Sequence, residues 1–294
     1  MLLLVVFVRV ERDTASPLIN VQIFGNRQFL VDNIILGIAM MAFIPVFFFA
    51  SSYGQIALAE KATTASLLLL YFFLGFVVCA QIGGRMLDRI GARRPVVLGC
   101  VLATVGFALW AGRATDLHAG AQVVYIVMAG AGMGLMLGQA NTDAINQASR
   151  YSYGEATGIT QTVRNYGASL GFAILSTILV SEFRSKVTDS LVAQGVPHAA
   201  ASAQASKIAQ LQSGSTTDIP AFIRIDFADA TRAVLYAMAV IMGLASVVAL
   251  RGLKRGVQEA AETATTGVAD QPPDESPRRR GRQGRAARPR RAWS

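Results

Sequence analysis

The chain has 294 residues, 53% of them hydrophobic and only 15% charged, whereas a water-soluble globular domain carries about 25% charged residues. With a mean hydropathy of +0.43, this excludes an ordinary soluble fold. The net charge of +9 comes almost wholly from Arg278, Arg279, Arg280, Arg282, Arg285, Arg288, Arg290 and Arg291 near the C-terminus, so it describes a tail and not a nucleic-acid-binding fold.

In chain order, Met1 to Val8 is apolar but too short to cross a bilayer, which takes about 20 helical residues. It lacks the basic start and cleavage site of a signal peptide and reads as a partial span. Pro17 to Arg27 is a short connector whose apolar residues Leu18, Ile19, Val21, Ile23 and Phe24 suit a membrane surface. Six expected spans follow: Phe29 to Ala50, Thr64 to Gly84, Pro95 to Gly112, Ala119 to Asn141, Thr157 to Val180 and Ala233 to Leu250. A long outer loop, 181–232, separates the last two. The fold class expected is all-α, a polytopic transmembrane bundle over 29–253, preceded by the segment 1–28. Residues 254–294 are rich in Ala, Thr, Glu, Pro and then Arg, a composition that cannot bury a core, and are expected to be a disordered basic tail. Such a tail either binds anionic lipid or is simply solvated.

Loop charges orient the spans. One set of connectors holds Arg9, Arg12, Arg27, Arg85, Arg89, Arg93, Arg94, Arg150, Arg251, Lys254 and Arg255; the other short connectors hold Lys61 and Arg113. Cytoplasmic loops carry the excess of Lys and Arg, which puts both ends of the bundle inside.

Cys79 and Cys100 lie in apolar runs and read as small packing residues. His118 and His198 have no ligand neighbours at metal spacing. No cofactor or metal is called for, and no nucleophile-and-base constellation indicates an enzyme.

Three groups of residues carry the functional expectation. Gly130, Gly134 and Gly138 in the fourth span recur every fourth residue, and Gly167 with Gly171 repeats the device in the fifth. Small residues let helix backbones approach in lipid, either as static packing or as a sliding surface. Arg164 lies in the fifth span, roughly 10 Å past Thr157 at 1.5 Å per residue. It either snorkels to the surface or faces the bundle as part of a path or gate, with Gln161, Asn165, Gln139 and Asn141 as companions and Asp143 just beyond. No span carries a carboxylate at its centre; Asp32 sits in the first turn of its span. A proton-coupled pump needs a titratable group, and none stands out. Last, the turn after the second span places Asp88 among arginines, where a carboxylate can accept from a helix N-terminus or a neighbouring arginine and so lock one conformation.

That turn, Gly84-Arg85-Met86-Leu87-Asp88-Arg89-Ile90-Gly91-Ala92-Arg93-Arg94, resembles the cytoplasmic loop motif of the major facilitator superfamily. Gly84, Asp88, Arg89, Gly91 and Arg93 match; Met86 replaces the usual leucine and Ala92 a basic residue. Pro17-Leu18-Ile19 leading to Phe24 and Asn26-Arg27-Gln28-Phe29 resembles the connector before the ninth span of fourteen-span drug–proton antiporters, and the stretch Thr162 to Gly171 is similar to their thirteenth span. The resemblance covers Arg9 to Leu253 and implies one six-helix half of a multidrug efflux pump working by alternating access. It implies a lipid bilayer, a small-molecule substrate and a missing N-terminal half or second copy as partners, with no nucleic acid. The family's coupling acid belongs to the other half. The alternatives are a half-sized carrier working as a dimer and a truncated, non-transporting membrane protein.

Overall fold

The computed structural model describes residues 21–148, 153–211 and 220–254. Met1 to Val8, most of the connector after it and the basic tail from Arg255 onward lie outside the described residues. Seven α-helices account for nearly all of the rest: α1 (Arg27–Ile56), α2 (Ala62–Ile90), α3 (Arg93–Arg113), α4 (Ala119–Gln147), α5 (Tyr153–Ala193), α6 (His198–Leu211) and α7 (Ala221–Gly252). No strand occurs among the described residues. In lipid every backbone N–H and C=O must be satisfied within its own segment, which a helix does. All but α6 are long and apolar enough to cross a membrane.

In the bundle, α4 packs against α2 and α3, α7 against α1, α3 and α5, and α1 against α4 and α5. Glycines set the closest of these seams. A Cβ at Gly130 or Gly134 of α4 would strike the carbonyls of Phe72 and Phe76 on α2. On the other side of α4, Gly132 meets Ala103 and Gly99 of α3. On α5, Gly167 and Gly171 close against the carbonyls of Gly37 and Met41 on α1. Pro45 lies inside α1 and has no N–H to give to the carbonyl of Met41 four residues earlier. The bare backbone at Gly171 thus lies against the very carbonyl that Pro45 leaves open. Gly138 is different: a Cβ there would meet nothing within 4 Å. Each four-residue step turns a helix about 40° past a full turn, so the third glycine of the series has rotated off the α2 seam.

Side chains pin both ends of the bundle. At the arginine-rich end, Asn26 Oδ1 accepts from the backbone N–H groups of Gln28 (3.0 Å) and Phe29 (3.4 Å), capping α1, while its Nδ2 donates to the carbonyl of Gln147 at the end of α4 (2.8 Å). Gln28 Nε2 donates to the carbonyl of Gly252 (3.2 Å), and Gln28 Oε1 accepts from the Lys254 N–H (3.2 Å), which ties α1 to the end of α7. At the opposite end Trp110 Nε1 donates to Gln122 Oε1 (3.0 Å), Gln122 Nε2 to the Tyr53 hydroxyl (2.7 Å), and that hydroxyl to the Ala114 carbonyl (2.6 Å). Each member of this chain is buried and satisfied, so it locks α1, α3 and α4 together.

The helices run beyond the expected spans. Ser181 to Ala193 continues α5, α6 occupies part of the expected loop, and α7 begins twelve residues before Ala233. Charge ended the hydropathy window, but the helical period did not end: Phe183, Val187 and Leu191 recur every four residues and are buried. Phe183 packs edge-on against Phe227 of α7 with ring centroids 5.5 Å apart, and Lys186 pairs with Asp229 at 2.6 Å.

Candidate functional site

Polar side chains near the arginine-rich end of α5 form a stripe. Gln161, Asn165 and Ser169 lie four residues apart and are exposed, as are Thr162 and Tyr166. Gln161 Nε2 donates to Asn165 Oδ1 at 3.1 Å. Arg164, half-buried on the adjoining face, points its Nη1 at Asn141 Oδ1 of α4, 3.5 Å away. Its Nε is buried with no acceptor among the described residues. The exposed side of α2, by contrast, carries Leu67, Leu70, Phe73, Leu74, Val77 and Val78, the surface expected of a helix wall against acyl chains. The hydroxyls of Thr162 and Ser169 donate to carbonyls of their own helix, those of Gly158 and Asn165, but the Gln161 and Asn165 amides keep N–H groups that acyl chains could not satisfy, so this side of α5 suits water, a solute or protein.

Four of the five residues expected to line or gate a path therefore come together: Arg164, Gln161, Asn165 and Asn141. Gln139 is placed elsewhere. It is buried between α4 and α2, where its Nε2 donates to the Ala80 carbonyl (3.1 Å) beside Gly83. Its position one residue before Ala140 turns it away from Asn141 by roughly 200° around the helix.

In the loop motif, Gly91 ends α2 with φ 79° and ψ 173°, a conformation open essentially to glycine. Its N–H closes on the Leu87 carbonyl at 3.0 Å. Arg93 reaches across to α7 and donates from Nη2 to the Leu250 carbonyl at 2.8 Å, placing a cation at the negative end of that helix. Asp88 and Arg89 are exposed and have no ion pair among the described residues. Gly84 has open space around it. Arg93 thus acts within this bundle, and Asp88 points away from it.

Sequence reasoning missed a pair of acids. Asp32 is fully buried in the second turn of α1, and its carboxyl faces that of Asp143 on α4 within hydrogen-bonding reach. The signal available was weak: one acid inside an apolar window, with its counterpart more than a hundred residues away. A groove of about 680 Å³ lies between α5 and α6, lined by Ser176, Ser181, Arg184, Thr188, Asp189 and His198 among others. It starts twelve residues along α5 from Arg164, about 18 Å away, and is separate from the polar stripe.

Bilayer-length helices with an apolar outer wall and buried polar locks define a multi-pass membrane protein. The sequence profile of the Major Facilitator Superfamily matches residues 1–172, and the chain belongs to that family. It is similar to Multidrug resistance protein 3 of Bacillus subtilis, 24% identical over 220 residues, which are 74% of this chain and 43% of that protein. It is also similar to Multidrug transporter protein MdtP of the same organism, 22% identical over 189 residues (64% of this chain, 35% of that one). Multidrug resistance protein Stp of Mycobacterium tuberculosis is 24% identical over 186 residues, 60% of this chain and 32% of its own. The chain thus spans less than half the length of these curated relatives.

Proposed function

We propose that the chain is one half of a transporter that exports drugs or other small hydrophobic molecules by proton antiport through alternating access. The second half is a separate six-helix bundle or a second copy of this chain. The arginine-rich end faces the cytoplasm of a bacterial cell, following the excess of basic residues there. The polar stripe of Gln161, Asn165 and Ser169 beside Arg164 is the observation that carries this reading, since a helix of this family needs such a face where it meets the path between the halves. Arg164 and Asn141 gate the path at its inner end. Asp88, which has no ion pair among the described residues, meets a helix end of the other half in one conformation and leaves it in the other. The names of the relatives support the drug-like substrate class.

The test is dye export from cells that express this chain alone, with a tagged second copy, or with an N-terminal half supplied separately. Export of a hydrophobic cation in at least one pairing, abolished by a protonophore, supports the proposal. No export in any arrangement, with the protein present in the membrane, overturns it in favour of a non-transporting membrane protein.

A further inference from the structure

We infer that Asp32 is a proton-binding site of this half, its carboxyl holding a proton that it donates to Asp143. The inference rests on donor supply. Asp32 is 0% exposed, and neither of its oxygens accepts a hydrogen bond from an N–H or O–H of the described residues. The group that it meets is another carboxyl, Asp143, and two carboxylates attract one another only with a proton between them. An added proton is the smallest cation that gives these two carboxyls a donor. An ionised Asp32 in this place would be a buried charge with no ion-pair partner among the described residues, which is costly in a low-dielectric interior.

Charged groups on the surrounding elements do not take over this role. Among the described residues Arg27 on α1, Arg85, Asp88 and Arg89 on α2, Glu155 and Arg164 on α5, and Arg251 and Lys254 on α7 make no hydrogen bond or ion pair with an Asp32 oxygen. The proton comes from bulk water and returns to it, and no bond other than O–H forms or breaks. Its release requires the contact between α1 and α4 to open, so occupancy reports the relative position of these two helices. Use of that proton as the coupling ion rests on the transport reading proposed above, but its presence does not. Coupled titration makes the affinity for that proton a property of the pair.

Infrared spectroscopy of the full chain in lipid vesicles at neutral pH tests this without any transport assay. Expected is a protonated-carboxyl stretching band, lost in Asp32→Asn, which replaces a protonated carboxyl by an amide of the same shape. In Asp143→Asn the band must persist at a shifted frequency, because Asp32 keeps its proton but changes its acceptor. This second variant retains a reading should the first fail to fold. Absence of the band in the unmodified chain overturns the inference, as does a band left unchanged by both variants. Loss of the band when sodium replaces potassium at constant pH also overturns it, since the acceptors would then hold a metal cation. Dye export that fails while the band behaves as expected leaves the proton site standing and removes the transport reading.

Discussion

Gly91 ends α2 at φ 79°, and this one dihedral makes the loop motif testable residue by residue. Gly91→Ala forces a side chain into a region costing on the order of 1–3 kcal/mol. It should lower the thermal midpoint in detergent, whereas Gly84→Ala, with nothing within 4 Å of its Cβ, should leave it unchanged. Arg164 is a second single-residue case. Removing one charge-assisted hydrogen bond costs about 1.5–3 kcal/mol, so Arg164→Ala should reduce dye export about tenfold in whichever pairing transports. Arg164→Lys keeps the charge but not the fork that reaches Asn141, and should recover only part of the rate. Equal export by all three proteins would remove Arg164 from the path.

Between elements, the seams of α4 with α2 and of α5 with α1 are backbone against backbone. Gly134→Ala and Gly167→Ala each drive a Cβ into a carbonyl of the facing helix. Both should destabilise the bundle by about 1–3 kcal/mol, the usual cost of overpacking, while Gly138→Ala should be neutral. Thermal unfolding of the three variants side by side decides this, and a loss at Gly138 equal to that at Gly134 would contradict the seam as described. The Trp110–Gln122–Tyr53–Ala114 chain gives a further prediction. Tyr53→Phe removes two interhelical hydrogen bonds, each worth about 0.6 kcal/mol in membranes, and leaves the Gln122 amide without its acceptor. A fall in thermal midpoint is expected, with no effect on insertion into the membrane.

For the whole molecule, the two long walls of the bundle differ in kind. In a background with Cys79 and Cys100 replaced by serine, Asn165→Cys should react with a membrane-impermeant thiol reagent in vesicles. Val77→Cys on the exposed apolar side of α2 should not. Equal protection of both positions would mean that the stripe on α5 is covered by protein; in that event cross-linking from Asn165→Cys should capture the partner, a second copy or another polypeptide.

Reading the chain by itself was enough to establish solvent and class. Bilayer-length apolar runs, arginine-rich turns and the run from Gly84 to Arg94 are all local, and the free energy of putting such runs into lipid is close to a sum over residues. The same additive reading stopped at Val180, where charge interrupts hydropathy although Phe183, Val187 and Leu191 keep the helical period. Tertiary structure decided what depends on distant partners. It sent Gln139 to the Ala80 carbonyl and Asn141 to Arg164, though the two residues are nearly adjacent in sequence. It turned Gly138 off a seam that Gly130 and Gly134 hold. It buried Asp32 against Asp143, across two intervening helices of sequence, because in a bundle the neighbour of a side chain is set by which helix faces it and not by its place along the chain.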